Sequence, residues 1–533
     1  MTIIRQAAII LIGVALATTA VAKTPKDTLV IAREISGIAH WDPAVSQILE
    51  VNEFNTDIYN RLFDYNPLKP GELEPSLADS YELSEDGKTL TFKIRQGVKF
   101  HSGNPVSAYD VEYSFHRLLL VNREPASTMK QLGYTPENVT SLIRATDEQT
   151  FVLQTPDRFA PSYVLNLLAS SGTSVVDSKL VKAHEKEGDF GVEWLGTHTA
   201  GTGPFQLKTW RPNDIVIFDR FDEHFRFKPE MKRVMVRHIA EASTQRLLLE
   251  KGDVDMAFNL TAQDVDAIAE GAATKVQINT ARRIMYIGFN TRVKPFDDPR
   301  VTQAMKYLID YDGLEKTVLK NLAVIRQTPL PAGFFGALDE QPFSYDPAKA
   351  RELLKEAGLE QGFSFELLAY PRSPEAEIAT AFQAAARDVG IEVKIISLPG
   401  SQLIPRYRDR NLDALLLAYS GGYGDPNAQL SKFALNPASL PGADPEAEHP
   451  SILAWRLGWS MPELSQLTDA AIRERDTEKR RDMYHQIQRE LWQRGPFAWC
   501  FNNTFALGLR VGVNGYLVGT NGTDTSFSVV TKD

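Results

Sequence analysis

Cysteine is almost absent from this 533-residue chain, which holds a single one at position 500. One cysteine cannot form an internal disulfide bond, so burial of apolar side chains must stabilise the fold. Cys500 lies in the apolar segment PFAWCFNN, where no cationic neighbour is apparent that would lower the pKa of its thiol. We therefore expect a buried, inert thiol at this position and not a nucleophile.

An excess of positive charge is also missing. The chain has 58 Lys and Arg residues against 68 Asp and Glu residues, which gives a formal net charge of -10 at pH 7. Nucleic-acid-binding surfaces need clustered lysine and arginine, so this balance argues against a nucleic-acid partner.

Long apolar runs are missing beyond the first residues, since no later segment approaches the roughly 18 apolar residues of a membrane-spanning helix. The chain starts MTIIRQAAIILIGVALATTAVAKTPKD, with a short apolar run and small residues that end at Ala22. This pattern is typical of a secretory signal peptide over residues 1–22, and the alternative is an N-terminal helix of the fold. We expect cleavage near Ala22 and a mature protein in the periplasm.

Motifs that carry catalysis are absent as well. The sequence has no HExxH, no GxSxG, no phosphate-binding loop and no Cys/His cluster with metal-ligand spacing. The glycines at 421, 422 and 424 follow an apolar strand pattern, but the lysine and helix of a phosphate-binding loop do not follow them. We expect no catalytic residue, no metal and no cofactor, and a secreted enzyme is the alternative class.

Strand-type and helix-type patterns alternate along the chain, which predicts an α/β fold of two or three domains. Ser107 is predicted to cap the start of a helix. The strongest predicted elements are strands over 285–290, 363–369, 392–397 and 413–419, helices over 298–310 and 375–389, and helical residues over 463–494.

Four stretches, taken together and in this order, resemble one known family. They are DGKTLTFKIR with GVKFHSG and VSAYDV (86–111), GTGPF (201–205), YIGFNT with PFDDPRV (286–301), and the segment from Asp346-Pro347 to Gly358. The set resembles the family 5 solute-binding proteins of ABC importers, the periplasmic group that binds dipeptides, oligopeptides and nickel. The similarity covers essentially the whole mature chain.

The resemblance implies a two-lobed periplasmic-binding-protein fold (type II, cluster C) with an extra inserted domain. By similarity, lobe I combines 23–66, 196–282 and 505–533, the extra domain spans 67–195, and lobe II spans 283–504. The implied function is that of a monomeric substrate-binding receptor. It captures a solute in a cleft that closes, and delivers it to inner-membrane permease subunits with their cytoplasmic ATPases.

The segment Tyr419-Ser420-Gly421-Gly422-Tyr423 is the candidate ligand wall. In the peptide-binding members, an aspartate in the equivalent loop pairs with the α-ammonium of the peptide, and this position falls on Gly422. The usual ammonium anchor is therefore missing. Glycine would let the backbone of 421 and 422 approach a ligand oxygen closely, and the two tyrosines would either stack on a flat ligand or serve as core residues.

Two further residues are candidates through the resemblance. Arg372, in YPRSP, matches a strand-end arginine that pairs with the ligand carboxylate in dipeptide binders, and its alternative role is that of a surface arginine. Trp41 stands where the family chain enters the cleft, where it would either contact the ligand or pack in the core.

Because the ammonium anchor is missing, the sequence leaves the chemical class of the ligand undetermined. A buried, unpaired ammonium would cost several kcal/mol, so a simple zwitterionic dipeptide is disfavoured. The sequence predicts a peptide or peptide-like solute, and the alternative is a non-peptide solute such as an opine, a glycosylated or acylated amino acid, or an oligosaccharide.

Overall fold

A computed structural model describes residues 24–46, 48–69, 71–421, 423–519 and 524–533. The predicted signal peptide and Gly422 lie outside the described residues. No helix within those ranges is both long enough and apolar enough to cross a membrane.

The first part of the chain forms one strand of the main sheet and then a separate four-stranded sheet with helices around it. Its elements are β1 (Thr28–Arg33), α1 (Leu49–Ile58), β2 (Phe63–Tyr65), β3 (Leu73–Pro75), β4 (Ala78–Leu83), β5 (Thr89–Ile94), α2 (Ala108–Val121), α3 (Ser127–Lys130), α4 (Val139–Leu142), β6 (Ile143–Ala145), β7 (Thr150–Gln154), α5 (Pro161–Leu168), α6 (Ser178–Ala183) and α7 (Val192–Leu195).

The second part returns to the main sheet and ends in a strand of 16 residues. Its elements are β8 (Phe205–Arg211), β9 (Ile215–Arg220), β10 (Arg233–His238), α8 (Ala242–Lys251), β11 (Met256–Ala257), α9 (Ala262–Glu270) and β12 (Thr274–Phe289).

The third part adds helices and parallel strands, and it ends after a second long strand of 14 residues. Its elements are α10 (Pro299–Lys306), α11 (Tyr311–Lys316), β13 (Ala323–Ile325), α12 (Pro347–Glu356), β14 (Ser364–Ala369), α13 (Glu375–Asp388), β15 (Glu392–Ser397), α14 (Gly400–Arg408), β16 (Ala414–Tyr419), α15 (Asn427–Phe433), α16 (Leu453–Arg456), α17 (Pro462–Ala471), α18 (Thr477–Arg494), β17 (Phe497–Arg510), β18 (Val513–Asn514) and β19 (Thr531–Lys532).

Two long strands join the halves of an eleven-stranded sheet. The strand order is β15-β14-β16-β12-β17-β11-β1-β10-β9-β8, and β13 pairs with β17 outside this path. Residues 274–280 of β12 pair with 504–510 of β17 on the side of β11 and β1, whereas residues 284–288 pair with 497–502 on the side of β16. The chain therefore passes between the halves of the sheet at the middle of β12 and β17.

Separate apolar cores lie on the two halves. One buried cluster contains Leu29, Trp41 and Val234 around β1 and β10, and two others cover the two faces of the half that contains β14 and β16. A further cluster is built mainly from residues 62–175 around the four-stranded sheet. The α/β class predicted from the sequence is confirmed.

Several local predictions can be compared with the elements. The strand predicted over 413–419 is β16, and Ser107 precedes α2, where its backbone N donates to Asp110 Oδ2 at 2.9 Å. Cys500 is fully buried, as expected. Most of the residues predicted to be helical over 463–494 lie in α17 and α18, and residues 472–476 separate these two helices. Asp476 caps α18 by accepting from Lys479 N.

Candidate functional site

An irregularity in β12 marks the crossing between the two halves of the sheet. Thr280 pairs with Thr504 and Ile284 pairs with Asn502, so three residues of β12 stand opposite one residue of β17. The side-chain amide of Asn502 donates to the carbonyl of Ala281 at 2.5 Å and to that of Arg283 at 3.3 Å. Side-chain hydrogen bonds thus replace the backbone ladder where the pairing is interrupted.

A cavity of about 410 Å³ opens beside this irregular segment. Its walls come from all parts of the chain, and polar side chains dominate them. The lining residues are Ser46, Leu49, Asn52 and Glu53 at α1; Tyr65; Pro125, Thr128, Asn166 and 170–172; 280–283 of β12; Ser420, Gly421, Tyr423 and Gly424 after β16; and Phe505, Val518, Gly519 and Thr525 near the C-terminus.

Of the four candidate residues of the glycine-rich segment that the structure describes, three line this cavity, namely Ser420, Gly421 and Tyr423. Tyr419 is half-buried behind them, where its hydroxyl donates to the Ala428 carbonyl at 3.4 Å and burial raises its pKa to about 12. The ring of Tyr423 is packed edge-on against Tyr163, with ring centroids 6.2 Å apart. Both tyrosine rings are therefore already in contact with protein.

Asp425 holds the end of this loop through a buried ion pair. Arg480 Nη2 donates to Asp425 Oδ1 at 2.8 Å and to Oδ2 at 2.7 Å, and Arg480 Nη1 donates to Ser162 Oγ at 3.0 Å. Burial lowers the pKa of Arg480, but the attraction of Asp425 more than offsets this and the net pKa is raised. Its partner lies 55 residues away in the sequence, so no local pattern around Asp425 indicates this ion pair.

Trp41 lies in a buried core and not on the cavity wall. Its ring packs against Phe54, Trp210 and Phe218, with ring centroids about 6 Å apart, and its exposure is 0%. This position matches the core role that the sequence left open as an alternative to ligand contact.

Arg372 also lies off the cavity wall. Its side chain is 57% exposed, its guanidinium stacks over Tyr370 at 4.7 Å, and it is 3.7 Å from Glu375. The buried Glu375 carboxylate is 3.3 Å from Arg283 Nη2, and Arg283 does line the cavity. The expected carboxylate anchor is thus separated from the cavity by a carboxylate and a second arginine.

Arg282 and Arg283 are the site residues that the sequence analysis missed. Arg282 Nη2 donates to the Tyr423 carbonyl at 2.6 Å, and its guanidinium lies 5.6 Å from the centre of the Phe334 ring. Burial lowers the pKa of Arg282, although the charge of Asp524 acts in the opposite direction. Two adjacent arginines just before the apolar strand MYIGFN were the available signal.

Glu53 supplies the carboxylate of the cavity wall at α1. Its Oε2 accepts from Arg33 Nη1 at 2.5 Å, and Glu50 stands 3.7 Å from the same arginine. Burial raises the pKa of Glu53 and the charge of Arg33 lowers it, with a net rise. This carboxylate is therefore already paired with a protein cation.

Polar lining residues carry unused hydrogen-bonding capacity. Ser46 Oγ, Asn52 Oδ1, Ser170 Oγ and Arg282 Nε are buried and have no hydrogen-bond partner among the described residues. Native interiors rarely leave such groups unpaired, so these four atoms of the lining residues suit a polar ligand. Groups of three or more His, Cys, Asp or Glu side chains that could hold a metal ion are not found in the described part of the chain.

Comparisons with known proteins agree on one family. The model of the bacterial extracellular solute-binding proteins, family 5 Middle, matches residues 72–439. The dipeptide-binding protein of Escherichia coli strain K12 is 28% identical over 482 residues, which cover 86% of each chain. The glutathione-binding protein GsiB of Pectobacterium atrosepticum is 26% identical over 447 residues, which cover 83% of this chain and 82% of that protein.

Solved structures show the same fold. HbpA2 from Haemophilus parasuis matches with a TM-score of 0.82 at 22% identity, over 95% of this chain and 100% of that chain. The PBP AgaA from A. tumefaciens R10, in complex with agropinic acid, matches with a TM-score of 0.68 at 24% identity, over 95% of this chain and 99% of that chain.

Proposed function

Because this chain belongs to family 5 of the bacterial extracellular solute-binding proteins, we propose that it is the periplasmic receptor of an ABC importer and captures a peptide or peptide-like small solute. The observation that carries this proposal is the cavity of about 410 Å³ at the crossing of β12 and β17, most of whose lining residues have polar side chains. Such a volume is typical of small-molecule sites. The receptor acts as a monomer and passes its solute to membrane permease subunits driven by cytoplasmic ATPases.

The proposed mechanism is closure about the crossing strands. Lobe I comprises 23–66, 196–282 and 505–533, and lobe II comprises 283–504. The extra domain comprises 67–195. The interrupted pairing at 280–284 falls at the proposed boundary between the lobes. A solute that contacts both lobes shifts the population towards the closed form by its preference for that form. No bond is made or broken.

Two classes of solute fit the site. Relatives named for dipeptides and glutathione favour a peptide or peptide-like ligand. A non-peptide solute, such as an opine, an acylated or glycosylated amino acid or an oligosaccharide, is favoured by the glycine at position 422, which supplies no carboxylate for a peptide ammonium. Arg372 is proposed as an anchor only if closure brings its exposed side chain to the cavity.

Native mass spectrometry of residues 23–533, purified from a bacterial periplasm without denaturant, tests this function. Retained masses spaced like di- to tetrapeptides would identify a peptide receptor, and one discrete non-peptide mass would identify the second class. If the protein is bare, a panel of solutes is screened by thermal shift, where a true ligand raises Tm by mass action. A protein that neither retains nor responds to any solute would contradict the receptor function.

A further inference from the structure

Three charged residues of the described part of the chain line the cavity, and they differ in how well their charges are compensated. Glu53 is paired with Arg33 at 2.5 Å, and Arg283 is paired with Glu375 at 3.3 Å. Arg282 forms no ion pair within 4 Å with a carboxylate of the described residues, and its guanidinium donates to the neutral Tyr423 carbonyl. Among these three residues, Arg282 is thus the one without an oppositely charged group at ion-pair distance.

We propose that Arg282 is the anion-binding residue of this cavity, so that the captured solute carries a carboxylate or a similar oxyanion and requires no free ammonium group. This inference rests on the proposed receptor function, and it specifies the chemistry of the solute. It places the recognition of charge on the crossing strand β12 and not on the strand end that carries Arg372.

The hydrogen bonds of Arg282 support this assignment. Of its five N–H donors, the structure uses Nη2 for the Tyr423 carbonyl at 2.6 Å and leaves Nε without a partner. A guanidinium binds a carboxylate through two parallel N–H···O bonds, and this geometry needs free donors on adjacent nitrogens. A buried polar group without a partner costs free energy, so an anion that pairs with Arg282 would recover it.

The electrostatic surroundings point the same way. The charge of Asp524 favours the protonated guanidinium, yet burial outweighs it and the net pKa of Arg282 is lowered. Phe334 covers one side of the guanidinium at 5.6 Å and supplies no charge. An anionic ligand would therefore add compensation that the described protein groups supply only in part.

Arg282 connects the crossing strand β12 with the loop after β16. Its backbone belongs to the interrupted segment of β12, while its Nη2 bond reaches the loop after β16. An anion held by this side chain would contact the crossing strand and, through it, the Tyr423 loop. An anion bound to Arg282 would thus contact the protein where the two halves of the sheet meet.

Among the described lining residues, no unpaired carboxylate is available to an ammonium group. Glu53 already accepts from Arg33, and position 422 is a glycine. A free ammonium in the cavity would lack a counter-charge or would have to displace Arg33 from Glu53, and both outcomes are costly in a buried site. Acids whose nitrogen is acylated or absent should accordingly bind as well as, or better than, free dipeptides.

A four-member probe set separates these contributions. Alanyl-alanine, its N-acetyl form, its C-terminal amide and the form blocked at both ends are titrated by calorimetry and thermal shift, with sodium acetate as a minimal anion at constant ionic strength. We expect the wild type to prefer the two acids over the corresponding amides by about 10- to 100-fold, the range of one charged hydrogen-bonding contact.

The variants are Arg282→Gln, Arg282→Lys, Arg372→Gln as the rival anchor, and Arg211→Gln as a matched change at an exposed arginine. Arg282→Gln should remove the preference for acids and the response to acetate. Arg282→Lys should keep part of both, and Arg211→Gln should keep both in full. The Tm of each variant without ligand is compared with that of the wild type, so that a loss of stability is distinguished from a loss of binding.

Three results would overturn the inference. They are equal binding of acids and amides by the wild type, loss of the preference in Arg372→Gln but not in Arg282→Gln, and no response of the wild type to either acid or to acetate. Binding of amides or other neutral solutes with no role for Arg282 would leave the receptor function standing. Only the absence of every bound or retained solute would contradict both.

Discussion

The ion pair between Asp425 and Arg480 should contribute strongly to stability, because both side chains are almost completely buried. Replacing Asp425 with alanine removes the acceptor of two Nη2 bonds, at 2.8 and 2.7 Å, and leaves a buried guanidinium without its counter-charge. Breaking a buried pair in this way typically costs about 3–5 kcal/mol. For a lobe of about 200 residues this corresponds to a fall in Tm on the order of 10 °C.

The double variant Asp425→Ala with Arg480→Met sharpens this prediction. It removes both charges and fills part of the space with an apolar side chain, so most of the lost stability should return. Equilibrium unfolding in urea, followed by tryptophan fluorescence and circular dichroism, gives the four free energies of the double-mutant cycle. The interaction energy should be favourable by a few kcal/mol.

The exposed pair of Arg494 and Glu490 is the control, since it joins two helical residues four positions apart at 2.7 Å. Glu490→Ala should cost only about 0.3–0.5 kcal/mol. If Asp425→Ala costs no more than Glu490→Ala, or if the double variant is less stable than both single variants, burial is not what gives the pair its strength and the reasoning fails.

Three further outcomes follow from buried groups. Burial lowers the pKa of Lys306 to about 7, against 10.5 for an exposed lysine. Between these pH values the unfolded state binds more protons than the folded state, so the free energy of unfolding rises with pH. Lys306→Met should abolish this rise, as measured by urea unfolding between about pH 7 and about pH 10. Burial raises the pKa of Cys500, so maleimide should label it only as fast as the protein unfolds, and rapid labelling of the folded protein would refute this. A Cβ at Gly421 would stand 2.6 Å from that of Ala428, so Gly421→Ala should displace the loop and weaken solute binding in calorimetry, whereas unchanged affinity would exclude the loop from the site.

Local patterns in the sequence predicted much of the scaffold. The apolar run at 413–419 predicted β16. The ligand wall that the resemblance places after it stays a prediction, although Ser420 and Gly421 line the cavity. The strand prediction succeeded because strand periodicity is a local property. It needed no knowledge of which strands are neighbours.

The crossing strands were not predictable in the same way. Only residues 285–289 of β12 show a clear apolar pattern, whereas residues 274–283 are mostly polar and half-buried. Their strand conformation depends on pairing with β17, which is more than 200 residues away in sequence. The local sequence does not predict a polar strand that is stabilised by pairing with a distant segment, so it did not indicate Arg282 and Arg283 as candidates.

Two independent observations bear on the charge of the cavity. The resemblance places a glycine at 422 where peptide-binding relatives carry an aspartate, so this position supplies no carboxylate for an ammonium group. The structure places Arg282 and Arg283 on the crossing strand β12, and only Arg283 has a carboxylate partner within 4 Å among the described residues. The first observation disfavours a cationic terminus, and the second favours an acid. Because one is read from a sequence pattern and the other from side-chain geometry, their agreement makes an anionic solute the sharper hypothesis, and the comparison of acids with amides in Arg282→Gln decides it.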